Sequence, residues 1–204
     1  MKSKEEYKII KRFDIENYNK QKPIDHFSTI YEFIDRDGMN VKQERDESES
    51  DGEYYLDERH YPNSAYTYTC MYNARGYITL SLTRFYDMII GKTIYYDTSG
   101  NTSREIDEDA PYLFSIDDLI LKMKREYNID IENQEKIWLV SRYPDNNNVF
   151  YEVSVKAPYS KIIVYLINGT NGKTLYTTEC KTEWYPGKSE ETVYQEYKRV
   201  KKIK

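Results

Sequence analysis

Few side chains in this 204-residue chain are placed to do chemistry. The two histidines, His26 and His60, each lie in a polar, loop-like stretch, and no Cys or His stands at zinc-ligand spacing from either. A nucleophile pair between His60 and a distant Ser or Cys has no local support, so an exposed loop histidine is expected. Cys70 and Cys180 are far apart in sequence and each falls in a strand-like run. Free, buried thiols are the expectation, with a single disulfide left open. Asp35, Asp37 and Gly38 match half of a calcium loop, but the Glu at its twelfth position does not follow in register. The acids Glu105, Asp107, Glu108 and Asp109 could join a carboxylate pair for glycoside hydrolysis, an arrangement that is spatial rather than sequential. Gly172-Lys173-Thr174 and Gly91-Lys92-Thr93 have the ending of a phosphate loop, yet the spacing before it and the helix after it are missing. Asn168-Gly169-Thr170 is a glycosylation sequon, meaningful only in a eukaryotic secreted chain. These residues predict a protein that is not an enzyme and that needs no cofactor or metal.

Charge gives a more specific indication. Net charge is −5, which argues against a nucleic-acid binder working by global charge. The stretch from Glu44 to Glu58 carries Glu44, Asp46, Glu47, Glu49, Asp51, Glu53, Asp57 and Glu58 against one base, Arg45. Such a run reads as a solvated loop, and its single sign also suits a docking face for a basic partner. Glu44, Asp46, Glu47, Glu49, Asp51 and Glu53, with Tyr54 and Tyr55 as exposed aromatic anchors, are the candidate partner-binding residues. Lys198, Arg199, Lys201, Lys202 and Lys204 form a basic, frayed end. The longest apolar run, Ile162 to Ile167, is far short of the ~20 residues that span a bilayer. The charged start, Met1-Lys-Ser-Lys-Glu-Glu-Tyr7, has no apolar signal region, which predicts a cytoplasmic chain, or a periplasmic one if a signal has been removed.

The elements that must carry these residues are mostly strands. With 23 Tyr and 6 Phe, the chain has ample ring surface to bury. Lys4 to Lys20 fits neither period well and reads as a short strand or turn of helix, leading into a loop at Lys22-Pro23. Three stretches then share one pattern, an aromatic strand, Asp/Asn-x-x-Gly and a second strand: Phe33 to Gly38, Met71 to Gly76 and Tyr95 to Gly100. Asp or Asn bonds backbone two residues on, and Gly takes the positive φ that closes the turn. The tyrosines accordingly read as core and cross-strand ladder. Ser115 to Tyr127 is the strong helix signal: Ser115 caps, Asp118 completes a capping box, and Ile116, Leu119, Ile120, Met123 and Tyr127 form one stripe. Four strands are expected after it, over Lys136–Arg142, Val149–Val155, Lys161–Ile167 and Thr174–Cys180, then a short terminal segment that reads as helix or strand. The expected fold class is α+β, mostly antiparallel β: a Tyr-rich β-hairpin meander over residues 1–110, then an αββββ unit over 111–204.

Gly91-Lys-Thr-Ile-Tyr-Tyr-Asp-Thr-Ser-Gly-Asn-Thr-Ser-Arg-Glu-Ile106 resembles the G-x-W-x-Y-Y-D-x-x-G-N-L-x-x-E unit of MORN-like repeat proteins of Bacteroidota, with Ile94 standing where that unit has Trp. Phe13 to Lys20 and Asp109 to Ile120 are similar to the opening phrase and the repeat-to-helix junction of the same group. The last third of the chain is similar in layout to a PepSY-like αββββ domain, and Ile167 to Lys173 resembles its I-N-G-x-T-G-K hairpin. Many such repeat proteins look like immunity proteins of polymorphic or type VI secreted toxins. The resemblance implies a protein that binds and neutralises a cognate toxin by occluding its active site. It brings no catalytic residues. The partner would be a protein, basic at the contact, with neither nucleic acid nor a membrane span involved. The alternative is a non-catalytic surface or periplasmic module that holds a glycan or peptide against its tyrosines.

Overall fold

The structure is a computed structural model that describes residues 9–21, 29–48, 52–145, 148–181 and 192–202. Pro23, His26, Glu49, Asp51, Pro186, Gly187 and Lys204 lie outside them. The fold is α+β and mostly antiparallel β, and its described residues fall into two compact units. One comprises Met1–Phe85 with Ile89–Glu108, the other Tyr86–Met88 with Asp109–Lys204.

The first unit holds helix α1 (Ile15–Gln21) and a seven-stranded sheet whose strands lie side by side in chain order. These are β1 (Ile30–Ile34), β2 (Asn40–Ser48), β3 (Gly52–His60), β4 (Tyr66–Asn73), β5 (Ile78–Phe85), β6 (Met88–Tyr96) and β7 (Thr102–Asp107). Three of the connections are the same device. Asp35 Oδ1 accepts from the backbone N–H of Asp37 and Met39, Asn73 Oδ1 from Arg75 and Tyr77, and Asp97 Oδ1 from Ser99 and Asn101. The glycine that follows in each case has φ of 77–79°. A short polar side chain fixes the turn locally, so each hairpin closes without help from distant parts of the chain.

One face of this sheet is covered by the segment from Ile9 to Tyr18. Arg12 bridges Tyr77, and Phe13 N–H donates to Gly76 O at 2.9 Å. Asp14 then starts α1 by accepting from Asn17 N–H. Phe13 and Tyr18 drop onto Tyr55, Cys70, Tyr72 and Ile78, and Phe13 stacks on Tyr55 at 4.8 Å. Tyr72 Oη–H donates to Ile10 O at 2.9 Å, and Tyr18 bonds Thr29 O and Arg45 N–H. At ~25 cal/mol/Å², a ring that buries roughly 150–250 Å² contributes about 4–6 kcal/mol, several times the ~1 kcal/mol net of one hydrogen bond. Burial of Phe13 and Tyr18 therefore holds the cover, and the hydrogen bonds set its register.

The second unit holds α2 (Ile116–Tyr127), four strands and α3 (Val193–Lys201). The strands are β8 (Ile137–Asp145), β9 (Asn148–Ala157), β10 (Lys161–Asn168) and β11 (Thr174–Lys181), in spatial order β11-β10-β9-β8. Ser115 Oγ accepts from Asp118 N–H at 3.1 Å while Asp118 Oδ2 accepts from Ser115 N–H at 3.1 Å, so the capping box is formed. Asn128 ends α2 in the left-handed conformation. Ile116, Leu119 and Met123 are buried on its inner face, and the Tyr127 and Tyr165 rings meet at 4.5 Å. Val193 and Tyr194 of α3 pack against the opposite face, where Tyr194 lies 4.4 Å from Phe150. With a helix on each side, β9 is buried continuously from Val149 to Val155.

Candidate partner-binding surface

The acidic run is not a loop. Residues 40–48 and 52–60 are the paired strands β2 and β3, with His60 at the end of β3. Residues that follow one another in a strand point to opposite faces, and the run is divided accordingly. Asp46 lies opposite Tyr54, Glu44 opposite Leu56 and Lys42 opposite Glu58, all on the face away from the aromatic core. Arg45 lies opposite Tyr55 and Gln43 opposite Asp57, on the covered face. The candidate residues thus fall into two sets: Glu44, Asp46 and Tyr54 together, Glu53 and Tyr55 together on the other side. Glu47 is placed by its backbone alone, opposite Glu53.

Tyr55 corrects the expectation of an exposed anchor. Its ring is 3% exposed, between Phe13 and Tyr18. Its hydroxyl donates to Glu53 Oε1 at 2.5 Å. Burial, followed by that bond to a carboxylate, pushes the phenol up to about 12. Glu53 also meets Arg45 Nη2 at 3.3 Å, so its charge is spent on the same sheet face. Next along this face is a buried ionic group that sequence reasoning missed. Asp57, 2% exposed, accepts from Gln43 Nε2 at 2.7 Å and from Arg59 Nε and Nη2 at 2.6 and 3.0 Å. Arg59 Nη1 reaches Asp35 Oδ2 at 3.2 Å. The i, i+2 spacing of Asp57 and Arg59 marks one strand face, a signal readable only once β3 is known to be a strand.

The outward face combines apolar and charged groups in rows. Across β1 to β5 one row runs Ile30, Glu44, Leu56, Met71, Leu80, and the next Glu32, Lys42, Glu58, Thr69, Leu82. Leu56, Met71, Leu80 and Leu82 are half-buried rather than covered. Lys42 Nζ lies 3.0 Å from Glu44 Oε2, and that hydrogen bond, with Glu58 and Glu32 nearby, raises its pKa. Tyr54 Oη–H donates to Asp46 Oδ2 at 2.7 Å, which raises the phenol's pKa. Arg84 bonds Glu58 and, at 3.0 Å, Thr69 Oγ1, while its buried Nε has no partner among the described residues. Four carboxylates (Glu32, Glu44, Asp46, Glu58) stand against Lys42 and Arg84, so the face remains acidic. At its β1 end Glu32, Ile34, Asn40, Lys42 and His60 line an open depression of about 410 Å³, where Ile34 is 69% exposed.

The other residues with chemical potential are committed elsewhere. Asp35 holds its turn and Arg59. Glu105 pairs with Lys92, Glu108 accepts from Thr93 Oγ1, and Asp109 pairs with Arg142. Asn168 Oδ1 accepts from the N–H groups of Thr170 and Asn171. Cys70 and Cys180 are free thiols, and burial pushes Cys70 up to about 11. Among the described residues no group of His, Cys, Asp and Glu is arranged to hold a metal ion, and no helix is long and apolar enough to cross a membrane. No protein family, curated protein or solved structure matches this chain.

Proposed function

We propose that this chain is an immunity protein: a non-catalytic protein that binds a cognate secreted toxin and blocks its active site, with the first unit a MORN-like meander and the second a PepSY-like αββββ unit. The observation that carries the proposal is the outward face of β1 to β5. A half-buried apolar row there is bordered by Glu32, Glu44, Asp46 and Glu58, with Tyr54 beside Asp46. Apolar groups supply affinity when a partner excludes water from them, and surrounding carboxylates steer a basic partner and fix its register. The resemblance of Gly91–Ile106 to the MORN-like repeat unit, whose proteins often look like immunity proteins, supports the choice of partner. Neutralisation in the cytoplasm, where the toxin would act, belongs to the same proposal.

The test is a growth assay followed by a binding measurement. The C-terminal domain encoded immediately upstream is produced in a bacterial host with and without this chain. Growth arrest relieved by this chain, together with a complex of the two purified proteins, is the expected result. Glu44→Lys with Asp46→Lys should then weaken the complex at least tenfold and flatten its salt dependence. Arrest that persists in every compartment to which the pair is directed would reject the proposal for that pair.

A further inference from the structure

Two tyrosines hold the left-handed backbone conformation that L side chains rarely adopt, Tyr86 at φ 52° and Tyr159 at φ 62°. For Tyr86 the second unit contains the compensation. Its ring is half-buried, and its hydroxyl donates to Ile131 O at 2.8 Å. For Tyr159 the described residues contain none. The side chain is 92% exposed and makes no hydrogen bond or ring contact. Ser160, next to it, is left-handed as well, at φ 56°. Asn or Gly would close this turn with less strain, so the two left-handed residues that close the hairpin carry a bare phenol ring at a conformational cost.

The ring stands on a firm base. Ala157 pairs with Lys161 at the foot of the turn, and Pro158 fixes the chain's entry. Behind it β9 is buried from Val149 to Val155 and β10 from Val164 to Ile167. A braced backbone lowers the cost of ordering an exposed aromatic at a hairpin tip, which is the form of an interface anchor. Two exposed lysines flank its foot. Lys156 Nζ donates to Glu135 O at 3.1 Å, the backbone of Lys156 bonds that of Lys136, and neither lysine meets a carboxylate among the described residues. Lys161, by contrast, is neutralised by Glu179 at 2.6 Å.

We propose that the Pro158-Tyr159-Ser160 tip is the plug that enters the toxin's active-site cleft, a cleft with an apolar floor that takes the Tyr159 ring and a carboxylate rim that meets Lys136 and Lys156. This deepens the function proposed above and rests on it. The steering face and the plug are chemically distinct, one acidic and broad, the other basic and pointed.

The experiment measures affinity for the C-terminal domain encoded upstream, and thermal midpoint, for the whole chain and two variants. Tyr159→Gly removes the ring and suits a positive φ. Ser160→Gly relaxes the same turn and keeps the ring. The expected result is a midpoint equal to or above wild type for both variants, a loss of at least tenfold in affinity for Tyr159→Gly, and unchanged affinity for Ser160→Gly. A wild-type complex that Glu44→Lys/Asp46→Lys weakens while Tyr159→Gly does not would overturn the plug and leave the function standing. A lowered midpoint for Tyr159→Gly would also overturn it, because the ring would then serve the fold. Failure of the wild-type chain to bind or protect would overturn the function, and the plug with it.

Discussion

A carboxylate's surroundings decide its role in this protein more than its identity does. Asp46 and Asp57 sit on the same hairpin, yet Asp46 faces outward beside Tyr54 and Asp57 is sealed between Gln43 and Arg59. Removing one partner of a buried ion pair leaves the other without compensation. Asp57→Ala should therefore destabilise the chain by about 3 kcal/mol, whereas an exposed pair contributes ~0–1 kcal/mol. Urea unfolding of Asp57→Ala beside Asp46→Ala checks this, and equal midpoints for the two would refute it. The composition of the run cannot separate these roles. Arg45 neutralises Glu53 across strands and Arg59 neutralises Asp57 along β3, so the inner face carries charge where alternation would have shown apolar residues. Tyr54 and Tyr55 are indistinguishable as letters, and only the strand's register sends one outward and the other into the core.

Features of single elements were more legible because their causes are local. The cap at Ser115 is complete within four residues, and each Asp/Asn-x-x-Gly turn is complete within five. Ser115→Ala should cost about 1 kcal/mol at pH 7. The Ser115 hydroxyl and N–H hold the Asp118 carboxyl below its usual range. A lowered carboxylate stabilises the fold above its unfolded value of about 3.9, and that contribution fades as pH falls through the folded value. The difference between wild type and Ser115→Ala should accordingly shrink below about pH 4, as thermal unfolding at pH 7 and pH 3 will register. The turns look alike in sequence but are not equivalent in space. A Cβ on Gly38 would meet nothing within 4 Å, while one on Gly76 would stand 2.9 Å from Phe13 O. Gly38→Ala bears only the conformational penalty of about 1 kcal/mol. Gly76→Ala should lose clearly more, because it also pushes away the segment that covers Tyr55 and Tyr72. Chemical unfolding of both variants compares them directly. That asymmetry is not written in the turn itself, since it depends on residues some sixty positions earlier.

For the molecule as a whole, tyrosine ionisation sets an upper limit in pH. Tyr55, Tyr151 and Tyr194 are each pushed up to about 12, first by burial. A group whose folded pKa is raised gives stability that is complete below its unfolded value, about 10 for tyrosine, and lost as pH rises toward the folded value. Circular dichroism should show an intact fold up to about pH 10 and cooperative unfolding above it. Absorbance at 295 nm should show these tyrosines ionising together with that unfolding. Full ionisation of the chain's tyrosines before any loss of structure would refute the prediction. The covered sheet face also has a consequence for how the chain is made. Tyr72 bonds Ile10 across 62 residues, so the covering segment leaves the ribosome before its seat exists. At ~5–20 residues per second that interval is roughly 3–12 s for the 62 residues. During it Phe13 and Tyr18 can meet Tyr55 once β3 has emerged, but not Cys70, Tyr72 or Ile78, which complete their seat. The order of synthesis thus makes the segment around Phe13 and Tyr18 wait for β4 and β5 before its seat is complete.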